Sequence, residues 1–174
     1  MPGSVLLYLV RHAIAEERGE PWPDDRLRPL SESGRERMER QVQGLLELEV
    51  VVDAILTSPL VRTRQTADIL SQALPGHPAV TDWPALEPGK RPKDVFAGLK
   101  AFSSHKRIAL VGHEPGIGEL SAALIGARQP ITFKKGAMML IEVQLLPPAV
   151  GSGELRWFVT PRILRRLARN QEDE

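Results

Sequence analysis

The chain has 174 residues, no cysteine, and 23 Lys and Arg against 22 Asp and Glu. That length suits one domain over 1–174, burying about 70% of the surface that the unfolded chain exposes. Balanced charge and few aromatics (four Phe, three Trp, one Tyr) argue against a nucleic-acid or membrane-surface protein, and the lack of thiols removes disulfides, thiolate nucleophiles and Cys-based zinc sites.

The first element is Val5–Val10, a continuous apolar run that reads as a strand covered on both faces and ends abruptly in Arg11-His12. The run is too short to span a membrane and lacks the basic start and cleavage site of a signal peptide, so a cytoplasmic protein is expected. A polar stretch, Gly19–Pro29, precedes Ser31, which reads as an N-cap. Met38, Val42, Leu45 and Leu46 then form a helical stripe. Asp53–Thr57 reads as a second strand, and Ser58-Pro59 opens a helix with Pro in its first position, stopped by Pro75-Gly76. Val80-Thr81 is a weak strand and Trp83–Pro92 a loop. Val95, Phe96, Leu99 and Phe102 mark a helix. Arg107–Gly112 is another buried strand, followed by a Pro-Gly turn and a helix over Ile117–Ile125. Two late strands, Met138–Leu145 and Leu155–Thr160, are expected to pair antiparallel at an edge. A helix from Pro161 closes the chain, its Arg162, Arg165, Arg166 and Arg169 balanced by Glu172-Asp173-Glu174. Alternating strands and helices imply an α/β three-layer sandwich with a mostly parallel central sheet.

One echo carries chemistry. Leu9-Val10-Arg11-His12 and Leu110-Val111-Gly112-His113 each put a histidine just beyond a buried strand ending in Leu-Val. In open parallel sheets, ligands bind at that end of the strands. Arg62, about one turn into the helix after the second strand, aims at the same crevice. Two imidazoles and two guanidiniums suit a phosphoryl group. Guanidinium forks match its oxygens, one histidine can attack phosphorus, and the other can offset equatorial charge. Arg11 and Arg62 would depress a neighbouring imidazole below its free pKa of about 6.5. Taken singly, a strand-end histidine or a helical arginine is an ordinary structural residue; their meeting at one sheet edge is what matters. His77 and His105 lack such support and read as surface residues. No carboxylate lies at ligand spacing from either strand-end histidine, Gly116-Ile117-Gly118 fails as a dinucleotide fingerprint, and no Walker A sequence occurs.

These same residues resemble the ordered motifs of the histidine phosphatase, or phosphoglycerate mutase-like, superfamily. Leu9–His12 resembles its Arg-His-Gly motif, Pro29–Gly34 its Pro-Leu-Thr-x-x-Gly segment, Thr57–Ala67 its second block and Val111–His113 its third. The short length and the ending Trp157–Arg162 look most like SixA-type phosphohistidine phosphatases. The resemblance implies a phosphoglycerate mutase-like fold, a phosphoenzyme on His12, a phosphate pocket of Arg11, Arg62 and His113, and no metal or other cofactor. Ala13 departs from the glycine of the motif. Ala15 and Arg18 stand where mutases carry Ser and Asn, which weakens a mutase reading.

Phosphomonoesterases of the superfamily use a carboxylate between the second and third blocks as general acid. Glu87 is the best-placed candidate, with Asp82 behind it, although a solvated loop glutamate would look the same. Transfer from phosphohistidine to His12 exchanges one imidazole for another, so a misplaced acid would favour that substrate over hydroxyl esters. Thr81–Lys93 is the one evident covering loop, which leaves an open pocket. The expected function is therefore a phosphatase acting on a phosphohistidine-bearing protein. The alternatives are a phosphomonoesterase for small sugar or nucleotide phosphates, and a non-catalytic module binding phosphorylated partners.

Overall fold

A computed structural model of the chain describes residues 3–169; the acidic end, Glu172 to Glu174, lies outside the described residues. Its strands are β1 (Val5–Arg11), β2 (Ala54–Thr57), β3 (Ala79–Asp82), β4 (Arg107–Gly112), β5 (Met138–Val143) and β6 (Glu154–Val159). Its helices are α1 (Glu32–Glu47), α2 (Val61–Ala73), α3 (Pro92–Leu99), α4 (Gly116–Ile125) and α5 (Pro161–Arg169). The strands form one sheet in the order β3-β2-β4-β1-β5-β6. β1 to β4 run parallel; β5 is antiparallel to both of its neighbours, and the β5–β6 pair stands at the edge, as the late apolar runs implied.

Side chains of β1 alternate between two cores, as the twofold pleat requires. Tyr8 and Val10 join Met38, Val42 and Leu45 of α1, Leu70 of α2 and Leu164 of α5. Val5, Leu7 and Leu9 join Val95 and Leu99 of α3 and Leu120 and Leu124 of α4. The result is the three-layer sandwich expected from the alternation, and it explains why β1 reads as an unbroken apolar run. Ser31 caps α1 as expected, its hydroxyl accepting from the Gly34 amide at 3.0 Å.

Helix α5 lies against α1 at backbone contact. A Cβ on Gly44 would stand 2.1 Å from the Leu164 carbonyl oxygen, so this crossing tolerates only glycine. Gly44→Ala gains about 1 kcal/mol in helix propensity but overpacks the crossing at a cost of about 3 kcal/mol. We expect a net loss of about 2 kcal/mol, read as a fall of about 4–8 °C in the melting midpoint. An unchanged midpoint would mean that α5 is not seated on α1 in solution.

Candidate active site

The sheet topology brings the strand-end residues together. From β1 the chain passes through α1 to β2 on one side; from β4 it passes through α4 to β5 on the other. The crevice at such a divergence is the usual ligand site of an α/β sheet. Register does the rest. Arg11 of β1 pairs with Gly112 of β4, so His12 and His113 follow side by side, with the His12 amide donating to the Gly112 carbonyl at 3.0 Å. The two rings stand 5.3 Å apart between centroids.

Ser58 continues β2 at the same edge, its amide donating to the Val111 carbonyl at 3.1 Å. Its own carbonyl accepts from the hydroxyls of Thr57 and Thr63. Held in this way, Ser58 cannot open a helix, and α2 starts at Val61 instead of at Ser58-Pro59. The expected helix start is corrected by two residues, from Pro59 to Val61, and the Ser58 hydroxyl meets His113 Nε2 at 2.9 Å. Arg62, the second residue of α2, still points back into the crevice.

Arg11, His12, Asp25, Arg28, Arg62 and His113 line one cavity of about 480 Å³. His12 is 6% exposed and Arg62 3%. His12 Nδ1 lies 2.7 Å from the Ala13 carbonyl oxygen. A carbonyl only accepts, so Nδ1 carries the proton and Nε2 keeps its lone pair. Arg11 spends one Nη1 hydrogen on the Phe133 carbonyl at 2.6 Å. Arg62 donates from Nη1 to the Asp25 carbonyl and from Nη2 to the Asp25 carboxylate, at 2.7 and 3.0 Å. The buried Nε of both arginines and Nδ1 of His113 have no hydrogen-bond partner among the described residues.

The electrostatics favour an anion. Burial pushes the His12 pKa down to about 3, opposed by the Ala13 hydrogen bond and helped by the charges of Arg62, Arg11 and Lys135. Burial also lowers His113 to about 3, with His12 and Arg62 adding to it. The arginines do depress the imidazoles as expected, but loss of water is the larger cause. Burial raises the Asp25 carboxyl, yet its hydrogen bond from Arg28 and the charges of Arg62, Arg28 and Arg18 outweigh that and hold it below the usual range.

Neither Glu87 nor Asp82, the two expected acids, lines this cavity. Glu87 pairs with Arg26 at 2.7 Å and lines a separate cleft beside His113, while its neighbour Pro88 lines the main cavity. Asp82 ends the edge strand β3, about half exposed, and pairs with Arg64 at 3.1 Å. Of the segment 81–93, expected to cover the pocket, Pro88 alone lines the cavity. The segment packs down through a 3-10 turn at Pro84–Leu86, with Leu86 buried and Trp83 against Gly98 and Phe102. Walls come instead from the polar stretch before Ser31, where a 3-10 turn at Asp25–Leu27 presents Asp25 and Arg28. Asp25, Arg28, Ser58 and Lys135 have no place in the sequence reading of the site. Only Ser58 carried a usable signal, since it follows a buried strand just as His12 and His113 do. His77 is exposed and His105 half-buried, away from the cavity. Among the described residues no three His, Asp or Glu side chains converge in a way that could hold a metal ion, and no helix is long and apolar enough to cross a membrane.

The model of the histidine phosphatase superfamily (branch 1) matches residues 7–87. Over 121 residues the chain is 38% identical to an uncharacterised protein of Picosynechococcus sp., covering 68% of this chain and 72% of that one. Over 136 residues it is 30% identical to a phosphohistidine phosphatase SixA homologue of Haemophilus influenzae, covering 73% of this chain and 81% of that one. The solved structure of the protein histidine phosphatase SixA complexed with tungstate shares the fold at a TM-score of 0.80 and 23% identity, covering 92% of this chain and 99% of that one. Matched by that family model, by a relative 30% identical over most of both chains and by the fold, the chain belongs to the histidine phosphatase superfamily as a SixA-type member.

Proposed function

We propose that this phosphatase hydrolyses phosphohistidine on a protein in the cytoplasm, through a phosphoenzyme on His12. One observation carries the reading. Three buried nitrogen atoms without a partner, Arg11 Nε, Arg62 Nε and His113 Nδ1, belong to the walls of the cavity where His12 Nε2 keeps its lone pair. Buried polar atoms are nearly always satisfied, so such a group marks where an anion is held.

His12 Nε2 attacks phosphorus while the P–N bond to the substrate imidazole breaks. His12 retains its proton on Nδ1 and becomes a phosphoimidazolium, whose positive charge the Ala13 carbonyl stabilises. When the substrate ring is itself protonated on its other nitrogen, it leaves as neutral imidazole, and positive charge passes from one ring to the other. No proton donor is consumed. Arg11 and Arg62 offset charge on the equatorial oxygens, and the bound dianion favours protonation of His113, which then donates to it. Water next attacks phosphorus and one of its protons goes to a phosphate oxygen; the P–N bond breaks and neutral His12 returns with dihydrogen phosphate. Asp25 positions Arg62 by holding its fork from the outer side.

An alkoxide is a far poorer leaving group and needs a general acid, which contributes about 10²–10⁴-fold. The pairing of Glu87 with Arg26 supports the phosphohistidine reading over the ester one. The test is kcat/KM on a chemically phosphorylated histidine peptide against a phosphoserine peptide and a sugar phosphate, for wild type and Glu87→Gln. We expect the phosphohistidine peptide to lead by about 100-fold or more, and Glu87→Gln to stay within about twofold on it. Faster ester turnover, abolished by Glu87→Gln, would establish the small-phosphate reading instead. No turnover on any of the three would leave a binding module.

A further inference from the structure

Beside the cavity runs a second depression of about 890 Å³, between α1, the loop before β5 and the first turns of α5. Arg11, Arg37, Lys134, Lys135, Arg162 and Arg166 line it, and no carboxylate does among the described residues. This contrasts with a chain whose charges almost cancel. Elsewhere Arg18, Arg26, Arg64, Arg91, Arg107 and Arg156 each pair with an Asp or Glu. Arg37, Lys134, Arg162 and Arg166 make no ion pair among the described residues and are exposed. Such a concentration of one sign of charge in a groove raises the local concentration of an oppositely charged ligand.

Two features choose the ligand. Arg11 and Lys135 line both the groove and the cavity of His12, so the two adjoin and a protein whose phosphoryl group reaches His12 can extend into the groove. Ile14 and Ile163, the latter 46% exposed, give the groove apolar contact area, and no aromatic ring lines it. Single-stranded nucleic acid is held by stacking on aromatics, whereas carboxylates around an apolar patch are an ordinary protein surface. We propose that this groove docks the acidic face of the phosphohistidine-bearing protein, a step that rests on the function proposed above and adds the chemistry of the partner.

The probes are a phosphohistidine peptide with a run of glutamates on one side, the same peptide with serines in their place, and free phosphohistidine. Wild type is expected to favour the glutamate peptide by about tenfold in kcat/KM at low salt, through KM, with the preference shrinking at 0.5 M salt on the order expected for screening. Arg162→Glu with Arg166→Glu should erase that preference while leaving free phosphohistidine, too small to reach α5, within about twofold. Lys134→Glu, on a loop outside any helix, should lower the preference in the same direction and guards against loss of α5. Equal turnover of the glutamate and serine peptides by wild type would overturn docking while the proposed activity stands. Failure on all three probes would overturn that activity itself. Fluorescence anisotropy of the unphosphorylated glutamate peptide reads the groove without chemistry: binding weakened by the double substitution supports docking. Tighter binding of a single-stranded oligonucleotide of equal charge would overturn it. So would binding of the peptide only by a chain ending at Arg169, which would assign the groove to the chain's own acidic end.

Discussion

Replacing His12 by Ala is expected to lower phosphohistidine hydrolysis by about 10⁴-fold or more, the scale seen when a nucleophile is removed from a preorganised site. It should also abolish the acid-labile, base-stable phosphoenzyme label in a rapid-quench experiment. The basis is the hydrogen bond that fixes Nδ1–H on the Ala13 carbonyl and leaves His12 Nε2 with its lone pair unused. His113 is not expected to take over: with the Ser58 hydroxyl donating to its Nε2, Nδ1 carries the proton and serves the phosphoryl group as a donor with no lone pair to attack. His113→Ala should therefore slow turnover but still label on His12. Label appearing on His113 in the His12→Ala protein, or turnover near wild type, would reverse the assignment. The variant should stay folded, since Ala13 and Gly112 keep their backbone bonds to the neighbouring elements.

How much of this site could be read beforehand depends on which element supplies each residue. His12 and His113 were legible because both sit one residue past a buried strand, and parallel register then makes them neighbours without any further information. Arg62 was legible for a related reason, since the helix after β2 leaves from the same edge. Asp25 and Arg28 were not. They come from a stretch with neither a 3.6 nor a twofold pattern, and a three-residue 3-10 turn sets their direction. The direction of Glu87 was not legible either. Its place between two motifs suggested an acid, but chain order says nothing about direction, and Arg26, 61 residues away, takes its carboxylate. The Arg11 partner, the Phe133 carbonyl, lies in the loop between α4 and β5, where no periodicity gives a hint. The sheet was therefore readable from hydrophobic runs, and the site was readable where sheet edges build it. The irregular walls required long-range contacts.

Lowering the pH from 6.5 to 4.5 is expected to destabilise the protein by up to about 5 kcal/mol, a drop of about 10–20 °C in midpoint. His12 and His113 are both held near pKa 3 in the folded chain, burial being the larger cause in each. In the unfolded chain each returns to about 6.5. As pH falls, the unfolded state takes up these protons first, so the stabilising contribution is complete above about 6.5 and is lost on the way down to 3. Each histidine contributes a slope of about 1.4 kcal/mol per pH unit within that window. The depressed carboxyls, Asp25, Asp53, Asp94 and Glu142, act in the same direction but only below their unfolded pKa values of about 4, so the interval 6.5 to 4.5 isolates the histidines. His113→Gln, which can keep a hydrogen bond to Ser58, should halve the slope. Sulfate, dianionic throughout, should raise the midpoint more at pH 4.5 than at 6.5, because an anion between the arginines lets His113 hold a proton. A flat midpoint across this range would mean that water reaches both rings and that the two imidazoles are not kept neutral by burial. In that case kcat/KM would show its acid limb near 6.5; with both rings buried, the limb lies near 3 and His12 stays a competent nucleophile across the whole physiological range.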